Sequence, residues 1–566
     1  MKIRLPKDLR GFNYDGICPV ELNNFDVDLL LPSLFFRVVT GGKGRGRYPN
    51  DPETIREYVV ELAHQEAVRG FDGDTKLRLL ERLVRTSVIQ VGLSGRSRRK
   101  EKIEGLQGYT LLTFKPGFPD QHSRIRRVDV LIYRMLTEEL GGEQAVRTFF
   151  REIFGRGIRL ETGMEPGGAY DGQTNVDTIT RLSLALLDVF KTTGIRNAPA
   201  REFREALPAV ARAMARDLSR YMKTYHDRMP IEAFTYHLRA LINLELFIYT
   251  MKLVYAVIQL VSDPRRLPEG MQTRDGLSLP DLYFDFMAAG SGLSREMARH
   301  CVRRDLETLQ AFIPANLQLR QLDRYLERGT TKAATDAIER LVVRNGTGAE
   351  YLQSLLLACD DPYVAAHVLA RAANDEDRIR EENRPPTQGE DDDPIVNEDI
   401  DRIAATGDTA LDRLVLLLTE AQVSTVSTNL GKWFRDVGGL TKPYGVLAGA
   451  SNNRQSWRYA PGSDVLATLV QLAAVDYPGW KFDHPSPRPI GLQKFLRWLE
   501  QRFGVLVDRP PDEINGAEYV TASQDNLDAM LSRLKLMGIF RDLSDDFTVQ
   551  HLTPPYMTTV EERDTA

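Results

Sequence analysis

Apolar residues recur at intervals of three and four along most of this chain, and strictly alternating runs are few. Asn50-Asp51-Pro52 supplies a cap followed by a proline, which predicts a helix over 51–69 ending near Gly70. Helical spacing returns over 75–91 and over 128–140, where Gly141-Gly142 stops it. Residues 109–114 read as a short strand closed by Lys115-Pro116-Gly117. Further helices are predicted over 176–191, 200–225, several between 294 and 373, and 409–422.

Residues 240–261 are apolar enough to resemble a membrane span. They nevertheless carry Asn243, Glu245, Lys252 and Gln259, and two charges are expensive in lipid. A helix buried in a bundle is the expectation, with no membrane partner.

Near the C-terminus, 492–503 is a predicted helix with Phe495, Leu496 and Leu499 on one face and Gly504 at its end. Val505-Leu506-Val507 follows as a strand. A second helix runs from a Ser523 cap through Met537, burying Leu527, Met530, Leu531 and Leu534. Residues 539–543 and 547–549 flank Ser544-Asp545-Asp546, a hairpin turn. Helix, strand, helix and hairpin is the order of a winged-helix module. The expected fold class is therefore mainly α: a multidomain helical body with a small C-terminal α+β winged-helix-like module.

A chain of 566 residues is too long for one hydrophobic core. The expected division is a basic, mixed helical region (1–160), a helical bundle (161–374), an acidic flexible linker (375–401), a helical, loop-rich region (402–488), the winged-helix-like module (489–554) and a tail (555–566). The linker rests on Asp375-Glu376-Asp377, Pro385-Pro386 and Glu390-Asp391-Asp392-Asp393-Pro394, where like charge and paired prolines oppose packing.

Net charge sharpens one region. The chain carries a formal charge of -5, yet its first quarter concentrates cations in two glycine-punctuated loops. These are Gly41-Gly42-Lys43-Gly44-Arg45-Gly46-Arg47 and Gly95-Arg96-Ser97-Arg98-Arg99-Lys100-Glu101-Lys102, followed by His122, Arg124, Arg126 and Arg127. Glycine allows close backbone approach, and Arg and Lys supply the countercharge that phosphates require. Lys43, Arg45, Arg47, Arg96, Arg98, Arg99, Lys100, Lys102, Arg124, Arg126 and Arg127 are the candidate nucleic-acid-binding residues. Arg212, Arg216 and Arg220 on one helical stripe either extend that surface or form a solvated face. Lys432, Trp433, Arg435, Lys442, Arg454, Trp457 and Arg458 mix cations with aromatics, as a stacking surface or as core anchors. The candidate recognition helix of the winged-helix-like module offers Arg533 and Lys535 but also Asp525 and Asp528, which makes protein contact at least as good a reading as DNA contact.

No motif names a reaction. Gly163-Met164-Glu165-Pro166-Gly167-Gly168-Ala169-Tyr170-Asp171-Gly172 lacks P-loop spacing and reads as a connection capped by Thr174 or Asp177. There is no CxxC or HExxH, and His300-Cys301 has no second pair for zinc. Gly290-Ser291-Gly292 is not a nucleophile elbow. Cys18 has no histidine that sequence brings to it. Asp508, Glu513 and Glu518 are the nearest approach to a carboxylate set for a metal-dependent nuclease. No cofactor is implied. Three scattered cysteines and a start without an apolar leader segment lead to the expectation of a cytoplasmic protein.

Three segments carry a resemblance: Ala448-Gly449-Ala450-Ser451-Asn452-Asn453-Arg454-Gln455-Ser456-Trp457-Arg458-Tyr459, Arg502-Phe503-Gly504-Val505-Leu506-Val507-Asp508-Arg509-Pro510-Pro511, and Leu536-Met537-Gly538-Ile539-Phe540-Arg541-Asp542-Leu543-Ser544-Asp545-Asp546-Phe547. Over the last quarter of the chain they resemble subunits of bacterial multi-gene antiphage systems of the methylation-associated type. The resemblance implies partner subunits and foreign DNA, and brings no catalytic residue. The functional expectation is a non-enzymatic subunit binding nucleic acid, DNA rather than RNA, and other protein subunits. A divergent metal-dependent nuclease and a purely structural scaffold are the alternatives.

Overall fold

The computed structural model describes residues 3–45, 55–65, 68–93, 101–106, 109–111, 124–159, 169–189, 195–196, 204–268, 271, 281–287, 292–383, 398–477, 486–540 and 550–558. Helices dominate them. α1 (Leu30–Thr40), α2 (Ile55–Ala63) and α3 (Asp74–Ser87) precede an antiparallel ribbon of Ile89–Leu93 and Glu101–Leu106. α4 (Val128–Leu140), α5 (Glu143–Phe154), α6 (Thr178–Val189), α7 (Pro208–Tyr225), α8 (Ile231–Ser262) and α9 (Leu293–Tyr325) follow. α10 (Lys332–Leu341), α11 (Gly348–Leu357), α12 (Pro362–Glu382), α13 (Glu398–Ala404) and α14 (Ala410–Val437) lead to α15 (Ser463–Ala473), α16 (Leu492–Phe503) and α17 (Ala517–Leu536).

α8 is the hub because its apolar residues run around the whole helix and leave no face for water. It packs against α7, α9, α14 and α15. By length and composition it is long enough to cross a membrane, and most of it is buried within the protein. Its Glu245 is accommodated by a partner from far along the chain. Arg502 of α16 donates from Nη2 to both Glu245 oxygens at 3.1 Å and from Nε to Asp217 of α7 at 2.7 Å.

α9 and α14 pack along each other in opposite directions. At one end, Arg324 of α9 and Arg413 of α14 pair with the adjacent Asp375 and Glu376 of α12. Fourteen residues inward on each helix, Ser427 donates to Gln310 at 2.7 Å. This pair carries the C-terminal elements: α17 packs on α9.

Several elements differ from the sequence reading. Residues 109–111 form no strand, and 112–114 lie outside the described residues; the strands formed instead are those of the ribbon, the first of which takes over the end of the helix predicted to 91. The predicted 200–225 helix starts at Pro208, where the ring suits the first helical position. α14 continues to Val437, so Lys432, Trp433 and Arg435 are helical rather than in a loop. The expected linker is helical in its first part. α12 runs to Glu382, with Asp375 and Glu376 buried and ion-paired, and α13 occupies its far end; 384–397 lie outside the described residues. Charge in sequence signalled exposure here, but facing arginines made burial affordable.

The winged-helix arrangement is not confirmed. α16 has the predicted bounds, but α17 begins at Ala517, and Ser523 is buried mid-helix with its hydroxyl donating to the Tyr519 carbonyl at 2.9 Å. Val505–Leu506 pairs in parallel with Leu282–Tyr283 instead of staying within the module. Phe540 bridges to Leu552, and Ile490–Gly491 pairs with His551–Leu552; the hairpin turn at 544–546 lies outside the described residues. Asn526 stitches this end to the body, accepting from the Phe286 N–H at 2.6 Å and donating to the Phe284 and Val507 carbonyls.

Candidate nucleic-acid interface

The first two glycines of the Gly41–Arg47 loop terminate a helix. Gly41 and Gly42 have φ of 66° and 81°, the left-handed region that ends α1, and the Gly42 N–H donates to the Arg37 carbonyl at 2.8 Å. A Cβ on Gly42 would stand 2.9 Å from the Tyr133 ring. Lys43 beyond them is exposed. Gly44–Arg45 then pairs antiparallel with Ile195–Arg196, which adds a cation from 150 residues away that no local pattern marks. Arg47 lies outside the described residues.

The second basic run lies in sequence between two described strands. Leu93 stands opposite Glu101 in the ribbon, so the intervening residues 94–100 connect two paired antiparallel strands. Arg96, Arg98, Arg99 and Lys100 belong to that connection and lie outside the described residues; Lys102 is on the returning strand, opposite Gly92. The returning strand packs on the turn Val27–Leu29. Just beyond it, burial pushes the Tyr109 hydroxyl up to about 12, with Arg239, Glu232, Asp177 and Asp28 as neighbouring charges. Arg239 of α8 is buried, with Nη1 3.7 Å from Asp28 and no hydrogen bond at Nε or Nη2.

The third cluster is engaged by carboxylates. Arg124 pairs with Asp26 at 3.1 Å, Arg126 with Glu21 at 3.1 Å, and Arg127 with Asp15 at 2.8 Å. Arg126 and Arg127 hold φ of 53° and 62° just before α4, a conformation that non-glycine residues adopt at a cost. These three arginines dock the acidic N-terminal segment 15–26. Two of the three arginines of the α7 stripe are also engaged, Arg216 facing Glu139 and Arg220 facing Asp476, while Arg212 is exposed. Trp433 and Trp457 are core residues: their indole N–H groups donate to Thr250 Oγ1 and to the Ala450 carbonyl. Arg458 pairs with buried Asp285 at 3.1 Å.

The chemistry candidates do not assemble. Cys18 is buried, and burial pushes its thiol up to about 12, away from the reactive thiolate. Cys301 is buried and likewise pushed up to about 12, while His300 Nε2 lies 3.0 Å from Glu513. That imidazole and Arg304 hold the Glu513 carboxyl below its usual range. Among the described residues no three His, Cys, Asp or Glu side chains converge as a metal site, so Asp508, Glu513 and Glu518 form no such set. Of the glycine-rich segment, 163–168 lie outside the described residues; Ala169–Tyr170 pairs with Ile158–Arg159, and Asp177 caps α6 by accepting from the Thr180 N–H at 2.9 Å. Ser291 is also outside the described residues.

The sequence matches the family of the methylation-associated defense system protein MAD7 over residues 7–556, and the chain belongs to that family. The resemblance expected of the last quarter therefore extends over nearly the whole chain. No curated protein and no solved structure matches it.

Proposed function

We propose that this member of the MAD7 family is a non-enzymatic subunit of a cytoplasmic methylation-associated defence assembly that binds nucleic acid, DNA rather than RNA, together with partner subunits. Membership of a multi-gene defence system supports the protein partners. The observation that carries the nucleic-acid reading is the place of the second basic run. In sequence, four cations lie between the two strands of an antiparallel ribbon, and a major groove admits a two-stranded ribbon. Exposed Lys43, next to the strand Gly44–Arg45 that pairs Gly44 with Arg196 and Arg45 with Ile195, adds a further cation.

Protein contact is assigned to the C-terminal end. Exposed Asp525 and Asp528 on α17 repel phosphates, and Arg533 is occupied by the Pro461 and Phe286 carbonyls. Val520 and Leu536 are exposed on the same helix, Leu536 by 90%.

The test is a titration of fluorescent duplex DNA with the full chain across salt concentrations. Neutralising Arg96, Arg98, Arg99 and Lys100 to Gln is expected to weaken binding at least about tenfold and flatten the salt dependence. Unchanged affinity and slope would remove the ribbon from the function.

A further inference from the structure

Arg299, Arg303, Lys432 and Arg454 come from three stretches of sequence that pack together: α9, α14 and the turn Arg454–Ser456. The antiparallel register places them. Arg303 lies seven residues before Gln310, about 10 Å back along α9, level with the residues seven beyond Ser427 on α14. Lys432 is within a turn of that level. Arg454 reaches the same place from the turn Arg454–Ser456, which packs on α9: a Cβ on Gly431 of α14 would stand 2.5 Å from its Nη2.

These four cations differ from the arginines around them. Arg304, Arg435 and Arg458 pair with Asp305, Asp436 and Asp285. Among the described residues Arg299, Arg303, Lys432 and Arg454 have no carboxylate partner, and the Arg299 Nε is buried without a hydrogen bond, a donor that native structures rarely leave unused. Glu296 and Glu307 are exposed on α9 and offset part of this charge, leaving the face positive.

Beside Arg454, residues 450–455 form an exposed polar turn of fixed shape. The Trp457 indole donates to the Ala450 carbonyl at 2.8 Å, the Ala450 N–H donates to Ser456 Oγ at 2.8 Å, and Asn453 accepts from the Gln455 N–H at 3.1 Å. Asn452 and Gln455 are exposed on that frame. No large apolar side chain is exposed on the contributing segments of α9, α14 or this turn. Protein interfaces centre on apolar and aromatic anchors, whereas nucleic-acid interfaces are polar and positive.

We propose that this face is a second nucleic-acid contact surface, independent of the N-terminal ribbon, in which Arg299, Arg303, Lys432 and Arg454 hold backbone phosphates and the Asn452–Gln455 turn lies against sugar or base edges. It extends the proposed function and does not depend on the ribbon.

The experiment titrates short single-stranded and duplex DNA and RNA with three full chains: the parent, a triple variant (Arg299→Gln, Arg303→Gln, Arg454→Gln) and the ribbon variant above. The triple variant is expected to lose at least about tenfold in affinity and about two to three units of salt slope, with its melting temperature within a few degrees of the parent. Arg303→Gln and Lys432→Gln singly, at exposed or half-exposed positions, are expected to lose a smaller share and keep the inference testable if the triple variant misfolds. A loss in the ribbon variant alone overturns this surface and leaves the ribbon standing; a loss in the triple variant alone does the reverse. A triple variant that binds all four probes as tightly as the parent overturns the proposal, as does a parent that binds none of them at low salt.

Discussion

Arg502 in α16 grips Glu245 in the middle of α8, with its Nη2 3.1 Å from both carboxylate oxygens across 257 residues of chain. Asp217 of α7 completes the site at Nε, so one guanidinium joins three helices inside the protein. Burial pushes the Glu245 carboxyl up and Arg502 pulls it back, while burial and Arg502 lower the Lys252 ammonium to about 7. Without its cation the two carboxylates would be stranded in apolar surroundings.

Arg502→Met is therefore expected to cost roughly 3–5 kcal/mol in denaturant unfolding. Adding Asp217→Asn and Glu245→Gln should restore part of that loss, because neutral amides no longer demand a countercharge. A triple variant as unstable as Arg502→Met would show that packing, not charge, is what Arg502 supplies.

Glu205 supplies a pH dependence. It is half-buried before α7, where it accepts from the Tyr249 hydroxyl at 2.7 Å and the Leu207 N–H at 2.8 Å, and desolvation raises its carboxyl to about 7. A raised folded pKa means that the native state holds a proton the unfolded chain releases. The stability this confers is full below the ordinary glutamate range and is lost as pH rises through about 7. Glu205→Gln keeps both acceptor contacts and should flatten that decline by on the order of 2–3 kcal/mol between pH 4.5 and 8. Parallel stability-versus-pH curves for parent and variant would exclude Glu205 as its source.

The third basic cluster is predicted to separate from the loops in a stability assay. Arg126→Gly retains the left-handed backbone but loses the pairs with Glu21 and Asn24, and should lower stability by about 1–2 kcal/mol. Lys43→Gln, at an exposed position, should leave the melting temperature unchanged. Equal melting temperatures for both variants would mean that the Arg126 contacts hold nothing in place.

Residues 489–554 are not expected to fold when excised. Arg502, Asn526 and the strand Val505–Leu506 each take their partners from the body, and Arg533 donates to carbonyls at 286 and 461. Circular dichroism of the fragment should show little cooperative unfolding. A sharp thermal transition would establish it as an autonomous module after all.

Limited proteolysis should respect α12. Cleavage is expected beyond Asn383, in the run containing Pro385, Pro386 and the four consecutive acidic residues 390–393, where the composition opposes packing. First cuts between Asp375 and Glu382 would contradict the buried, arginine-paired helix seen there.

Local information in the chain was enough for its helical character. α4 and α16 have the bounds their periodicity and following glycines dictate, and the charges within the apolar run of α8 correctly signalled burial in a bundle. Such features depend on residues within a turn or two of one another, where spacing and stop signals act directly. Which cations remain available to a ligand was decided only by tertiary structure. Arg126 and Arg454 look equally free in sequence, but one meets Glu21 and the other, among the described residues, meets no carboxylate. The parallel pairing of Val505–Leu506 with Leu282–Tyr283, which joins the last helices to the body, is likewise invisible locally. Its partner lies more than two hundred residues away, and only the packing of α9, α14 and α17 brings the two segments together.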